Sequence, residues 1–319
     1  MSLSFEESFD IDDIGERVKS ADSEIRRIAI MELAEVADPQ AASLAISALR
    51  DVDANVRKQA CKTLDEFEGL GVIDALINAL SDSVVEVREA AAETLAENRN
   101  EDAAPMIIER LRSGDDPFIK ASLLRALRAL RHADAQSIAL AALQDSDARV
   151  RREAVGVLAY LKSDEVLLAL MDLARNDRDE EVRRTAMGSL VYSRSDKAVA
   201  TLITGLKDDN WRVREEAAMV IGKACFNAAL ESLIDAMDDE YWQVRVKAAA
   251  SLGQLKKPQA IPVLGQAISY SISNLRKEAA SALGQIAHPD ALPFLEKAKA
   301  DIDPDVRKIA MWAIQQIHK

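Results

Sequence analysis

Aromatic side chains are scarce in this chain: 4% of its 319 residues are Phe, Trp or Tyr, although 49% are hydrophobic. A core with few large rings must be built from Ala, Leu, Val and Ile, which suits thin helical layers. Eleven glycines and eight prolines are too few for a loop-rich or disordered chain. Positive charge is also short, with 41 Lys and Arg against 54 Asp and Glu, a net −13. That balance favours solubility and opposes non-specific binding to phosphate backbones, so nucleic acid is not an expected partner. The three histidines are His132, His288 and His318. No two have metal-ligand spacing, and no nucleophile–base pair, zinc cluster or phosphate loop is present. No metal, cofactor or catalytic residue is therefore expected. No apolar run approaches the roughly 18 residues of a membrane span. The acidic start, Met1 to Asp13, has neither the basic nor the apolar region of a signal peptide. The expected location is cytoplasmic, away from membranes.

What the chain does have is a period. Arg26, Arg57, Arg88, Lys120, Arg151, Arg183, Arg214, Arg245, Arg276 and Arg307 recur at intervals of 31 or 32 residues. A constant spacing in this range marks a stacked architecture in which each unit needs its neighbours to bury its apolar face. One domain over 1–319 is expected, with a capping region at 1–20 and repeats of about 31 residues over 21–319. Cys61 and Cys225 then fall five repeats apart. With helices about 8–10 Å apart, that is far beyond the ~7 Å reach of a disulfide.

One unit shows how the others are built. Ala198–Leu206 reads as a short amphipathic helix and Lys207–Asn210 as a polar turn. A second helix follows from Trp211, capped by Asn210 and ended by Gly222 in the left-handed conformation. Val213, Ala217 and Ile221 form its buried stripe. The same triplet recurs, from Ile25, Ala29 and Leu33 to Val306, Ala310 and Ile314. Pro39, Pro258 and Pro289 stand at the starts of first helices. An acidic or amide residue stands four places before most of the cations: Asp22, Asp53, Asp116, Asp147, Asp179, Asn210 and Asp303. The cation column beside this Asp column predicts a structural ladder of hydrogen-bonded charges between repeats. Such pairs fix register more than they add stability.

These motifs resemble HEAT repeats, specifically the phycobilisome-lyase-like subtype. The matching segments are Trp242–Gly253 (WQVRVKAAASLG), Asn274–Gly284 (NLRKEAASALG) and the first-helix Ala260–Leu264 (AIPVL), with Ala291–Leu295 in the near form ALPFL. The resemblance covers roughly 20–319. It implies an all-α fold, a right-handed α-solenoid (superhelix) of about ten HEAT-like helical hairpins with an armadillo-type shape. The Val-Arg helices would line its concave face. The fourth repeat departs from the pattern at Pro117, Lys120, Leu123 and Gly114, the sixth gains a residue near 176–179, and the ninth has Ile272 and Leu275. A change of curvature is expected there.

On that reading each Val-Arg helix exposes the third, sixth and tenth residues after its Val. Gly156 and Gly188, with Tyr160 and Tyr192, then occupy matching slots of adjacent repeats and frame a notch with aromatic walls. An interior helix glycine costs about 1 kcal/mol relative to Ala, so these two call for a reason: ligand access, or tight curvature with Tyr filling the space. Met219 and Arg125 lie on the same stripe, and Arg152 and Arg184 at its margin. Residues 117–152 hold seven basic side chains against three acidic ones. Arginine forks suit carboxylates, so an acidic peptide fits, as does a solvated face with no ligand. Trp211 and Trp242 share a slot near the rim, with Tyr241 beside the second. They are candidate rim contacts or a stacked pair covering a turn.

Three functions follow. The first is a non-catalytic protein-interaction scaffold or adaptor binding a protein or peptide on the concave face. The alternative, implied by the subtype, is a bilin (phycocyanobilin-type) lyase or isomerase subunit holding a tetrapyrrole between Tyr160, Tyr192 and nearby arginines. The third is an end-to-end assembly element with an acidic start and a basic last helix (Arg307, Lys308, Lys319). The di-iron hydroxylases of the superfamily need His-Glu pairs that are missing here. The HEAT-like alkylpurine glycosylases need a basic cleft that the charge balance opposes.

Overall fold

A short polar side chain opens most second helices, and it explains why the chain breaks into hairpins. Asp22, Asp53, Asp116, Asp147, Asp179, Asn210 and Asp303 each accept a hydrogen bond from the N–H two residues on, at 2.8–3.0 Å. Each such cap stabilises its helix by about 1 kcal/mol. The computed structural model describes residues 10–161, 163–193 and 195–319. Residues 1–9, most of the acidic start, lie outside that description.

Among the described residues there are twenty α-helices and no strand. The chain divides into two compact units, Met1–Leu161 and Lys162–Lys319. The first holds α1 (Ile11–Arg17), α2 (Ser23–Glu32), α3 (Pro39–Ala48), α4 (Ala54–Thr63), α5 (Leu70–Ala79), α6 (Val85–Glu97), α7 (Ala104–Ser113), α8 (Pro117–Leu130), α9 (Ala135–Ala142) and α10 (Ala148–Leu158). The second holds α11 (Asp164–Asn176), α12 (Glu180–Ser189), α13 (Lys197–Gly205), α14 (Trp211–Lys223), α15 (Leu230–Asp235), α16 (Trp242–Leu255), α17 (Ile261–Ala267), α18 (Ser273–Ile286), α19 (Leu292–Ala298) and α20 (Pro304–Ile317). Each odd helix forms a hairpin with the even helix after it. Even helices pack side by side, from α2 to α10 in one unit and from α12 to α20 in the other. Each unit is thus an α-solenoid of helical hairpins.

The core is the expected aliphatic column. Leu33, Leu64, Leu95, Leu127 and Leu158 are at most 1% exposed, as are Leu190, Ile221, Leu252 and Leu283. Each contributes about 1.5–3 kcal/mol by leaving water. The first stripe departs from expectation: Ile25 is exposed, while Arg26 beside it is buried. Ile119 and Ile314 are only half-buried.

The cations form a ladder, but not with the aspartates nearest to them in sequence. Those are the caps just described. The paired carboxylates stand six places before the next cation. Arg26 grips Asp51, Arg57 grips Asp82, Arg183 grips Asp208, Arg214 grips Asp239 and Arg276 grips Asp301. In each pair Nε and Nη2 donate to the two carboxylate oxygens at 2.6–3.0 Å. Lys120 reaches Asp145 with one bond of 3.1 Å. The remaining Nη1 donates to the carbonyl six residues back in its own turn, as Arg57 does to Asp51 (2.9 Å) and Arg214 to Asp208 (2.8 Å). The same aspartates accept an N–H two residues on, Asp51 from Asp53 and Asp208 from Asn210. Each rung therefore ties two repeats together and orders the turn between them. A second row of bonds runs parallel to it. Thr63, Thr94 and Ser251 donate their hydroxyls to the carbonyls of Ile30, Cys61 and Ala218, 33 residues earlier.

Gly222 does not end its helix. It lies inside α14, and the left-handed residue there is Cys225 (φ 55°). Arg131, Lys256 and Ala287 take the same conformation at the same point of their repeats. The Leu-Gly glycines instead admit the next even helix. A Cβ on Gly253 would lie 2.8 Å from Ala282 Cα, and one on Gly284 would lie 2.8 Å from Ala313 Cα. Both cysteines are free thiols; Cys61 is buried and Cys225 exposed. Burial pushes the Cys61 thiol up to about 12.

Substitutions and an acid titration test this packing. Gly253→Ala gains helix propensity but forces a backbone contact, so a net loss of about 1–3 kcal/mol is expected in denaturant unfolding. Gly71→Ala, with nothing within 4 Å, gains up to about 1 kcal/mol. Asp208→Ala removes the carboxylate that accepts from both the Arg183 guanidinium and the Asn210 N–H, for a loss of about 3 kcal/mol. The ladder also sets the acid limb of stability. Hydrogen bonds from Arg26, Arg57 and Arg276, outweighing burial, hold Asp51, Asp82 and Asp301 below the usual carboxylate range. Their contribution is complete above about pH 4, where unfolded aspartates are ionised. It is lost as pH falls through the lower folded values, which thermal melts from pH 7 to pH 2 will show.

Candidate interaction surfaces

The exposed face of the even helices carries the residues singled out from the sequence. In the first unit Arg125 is exposed on α8, and Arg152 and Gly156 are half-buried on α10. The space over Gly156 holds the Arg128 side chain, whose Cδ would lie 2.8 Å from a Cβ there. Arg128 continues to Glu153 at 3.3 Å. Tyr160 follows α10 at 40% exposure, with the Arg131 guanidinium over its ring at 4.4 Å. Arg128 and Arg131 thus join Gly156 and Tyr160 in one basic–aromatic patch.

The second unit fills its glycine differently. A Cβ on Gly188 would lie 2.7 Å from Glu216 Oε1 on α14. Glu216 lies 3.7 Å from Arg184, which also pairs with Glu181 at 2.8 Å. Tyr192, in the short turn Leu190–Tyr192, is 47% exposed, and Met219 is half-buried on α14. Neither glycine leaves an open notch within its own unit, because a long charged side chain from the neighbouring even helix lies across it.

The rim residues also arrange themselves otherwise than by slot. Trp211 stacks on Tyr241, not Trp242, with centroids 5.5 Å apart and planes 11° from parallel. Arg212 lies over the Trp211 ring and Arg214 over the Tyr241 ring, each at 5.5 Å. Trp242 opens α16 at 37% exposure beside Tyr241 at 39%. Trp312 is 40% exposed on α20.

Three features escaped the sequence reading. A cleft of about 500 Å³ in the first unit runs from Leu64 and Phe67 to Asn98, under Asp65, Glu68, Glu97 and Arg99. Asn98 Nδ2 is buried there with no partner among the described residues. In the second unit a cleft of about 460 Å³ lies along the ladder, lined by Arg175, Asp177, Arg183 and Lys207. Glu216 and Glu278 are carboxyl groups pushed up first by burial. No group of three or more His, Cys, Asp or Glu able to hold a metal occurs among the described residues. His132 and His288 accept N–H bonds from Asp134 and Asp290 through Nδ1, as turn residues. Among the described residues no helix is long and apolar enough to cross a membrane.

A carboxyl group raised by burial weakens the fold where it must ionise. Its cost is absent below the unfolded value and complete above the folded one. Glu216→Gln is therefore expected to raise Tm at pH 7, with the gain vanishing below about pH 4.

Comparison with known proteins extends the sequence motifs. A family profile described as HEAT repeats matches residues 11–71, 68–128, 107–191, 168–242 and 230–315. Curated proteins give no match. Among solved structures, yeast importin-beta (Kap95p) superposes with a TM-score of 0.65 at 14% identity, over 96% of this chain and 50% of that one. Kap121p bound to Nup53p gives 0.55 at 15%, over 95% and 40%. YibA of Escherichia coli gives 0.53 at 18%, over 94% and 98%. The chain thus spans about half the length of the karyopherins it matches, and at these identities the likeness is one of fold. With the repeat profile running from residue 11 to residue 315, the chain belongs to the HEAT-repeat family.

Proposed function

We propose that this protein is a non-catalytic interaction scaffold that binds a protein or peptide on the exposed face of its even helices, the concave face in the solenoid geometry the family implies. One observation carries this. The chain has three Trp and four Tyr, and none of the seven is buried. In a fold so poor in aromatics, rings would normally be spent on the core, where they bury most surface. Here they stand outward, several beside arginines, and that pairing dominates binding hot spots. Tyr160 on the first unit and Tyr192 on the second are proposed anchors, each on its own unit's face, with Met219 as adaptable apolar contact on the second. Arg125, Arg152 and Arg184 select an acidic partner. The solved structures of Kap95p with Nup1 and Kap121p with Nup53p are solenoids of this fold class taking protein partners, which supports the reading. The cytoplasmic site of action, the absence of a cofactor and the continuity of the repeats as one domain belong to the same proposal. The phycobilisome-lyase subtype stays a resemblance of motif.

A photo-crosslinker at Arg125 or Met219 is expected to capture a partner in source-cell extract, while one at Leu168, exposed on α11, is not. Tyr160→Ala with Tyr192→Ala should weaken the captured complex more than tenfold, since a central aromatic anchor is worth about 2 kcal/mol or more. Equal capture at Leu168, or equal affinity in the double variant, overturns the proposal.

A further inference from the structure

One rung of the ladder has its cation but not its carboxylate. The residue 25 places after Arg245 is Tyr270 rather than aspartate, and its half-buried ring centroid lies 5.1 Å from the guanidinium carbon. Among the described residues Arg245 Nε is buried with no acceptor. Two residues earlier on α16, Gln243 Oε1 is buried with no donor. An orphaned buried donor destabilises the fold, because its bond to water is lost and not replaced. A broken rung need not leave one. Arg88 also lacks its aspartate and lies over Phe118 at 5.7 Å, yet it keeps its bond to the Asp82 carbonyl at 3.0 Å. Arg245 is set apart by its surroundings as well. Trp242, three residues before it on the same face of α16, and Tyr241 beside Trp242 are exposed.

We propose that Arg245 is a receptor for a carboxylate of another protein, an Asp or Glu side chain that takes the rung place left by Tyr270, with Trp242 and Tyr241 as its apolar wall. The ladder itself names the ligand. In five repeats of this chain the same guanidinium, on the same first turn of an even helix, takes a carboxylate through two bonds of 2.6–3.0 Å. A planar fork of donors fits that group and no cation. Tyr270 holds the guanidinium meanwhile. Its cation–π contact is weaker than a hydrogen bond to a charged group. Of the two partners, a carboxylate makes the stronger contact with the guanidinium. The site lies at the helix-start edge of the second unit and does not rest on the tyrosine face proposed above.

The test is a titration of the full chain with acetyl-tetraglutamate amide, read by tryptophan fluorescence, with the tetraglutamine peptide alongside. Wild type is expected to give a saturable change with glutamate only. Tyr270→Asp supplies the carboxylate internally and should weaken binding at least tenfold while raising Tm. Arg245→Gln, checked for helix content by circular dichroism, should abolish binding without that gain. Tyr160→Ala with Tyr192→Ala should bind as wild type, so this site and the tyrosine face fail separately. No saturable change in wild type, an equal response to the glutamine peptide, or unchanged affinity in Tyr270→Asp overturns the proposal.

Discussion

The bidentate Arg–Asp rung is the constraint from which the rest of each unit follows. A hairpin of two short helices cannot bury its apolar face alone, and aliphatic side chains stack with little preference for register. The rung supplies register. Asp208 receives Arg183 from the repeat before it, offers its carbonyl to Arg214 in its own turn, and bonds the Asn210 amide. With so many bonds converging on one turn, a shift of one residue would strand a buried cation. Such a penalty is larger than any gain from the pair itself, so the ladder acts chiefly by excluding wrong stackings.

The fold was legible because the cation recurs at one spacing and the Val-Ala-Leu stripe recurs with it. The partner of the cation was not. Two acidic columns share the period, four and six places before most of the cations, and the nearer one reads as the natural mate. Within a helix start, however, the nearer carboxylate is already committed to capping its own turn, as Asp53 is. The free one reaches across to the previous repeat, a contact that separates partners by 25 residues and leaves no local signature. The same blindness explains Gly222. A glycine near a helix end suggests a left-handed stop, but what selects it is Ser251 of the next even helix, whose Oγ would collide with a Cβ. Sequence spacing describes one helix at a time, and close approach belongs to two.

The candidate surface shows the same division. Tyr160, Tyr192 and Trp242 could be placed outside from their slots alone. The charged side chains that cross Gly156 and Gly188 could not, because Arg128 and Glu216 sit on helices 25 or more residues away. Their presence changes the chemistry of that face. A bare glycine would have offered an apolar slot in each unit, whereas a guanidinium over Gly156 and a half-buried carboxyl over Gly188 give each unit's face its own charge. Such patterning steers and discriminates partners more than it adds raw affinity.

A repeat protein can change function by editing one rung, since each repeat depends mainly on its neighbours. Replacing a ladder aspartate removes an internal partner without touching the aliphatic column beneath, and the arginine remains held by its helix. The two edited rungs illustrate the range. At Arg88 the phenyl ring of Phe118 and the Asp82 carbonyl absorb the cation, and among the described residues no buried polar atom of Arg88 is orphaned. At Arg245 a tyrosine ring stands in and a buried donor goes unmet. The first edit leaves a silent joint. The second leaves a cation whose complement is missing, on an edge lined with aromatic rings, and in this fold the complement is a carboxylate.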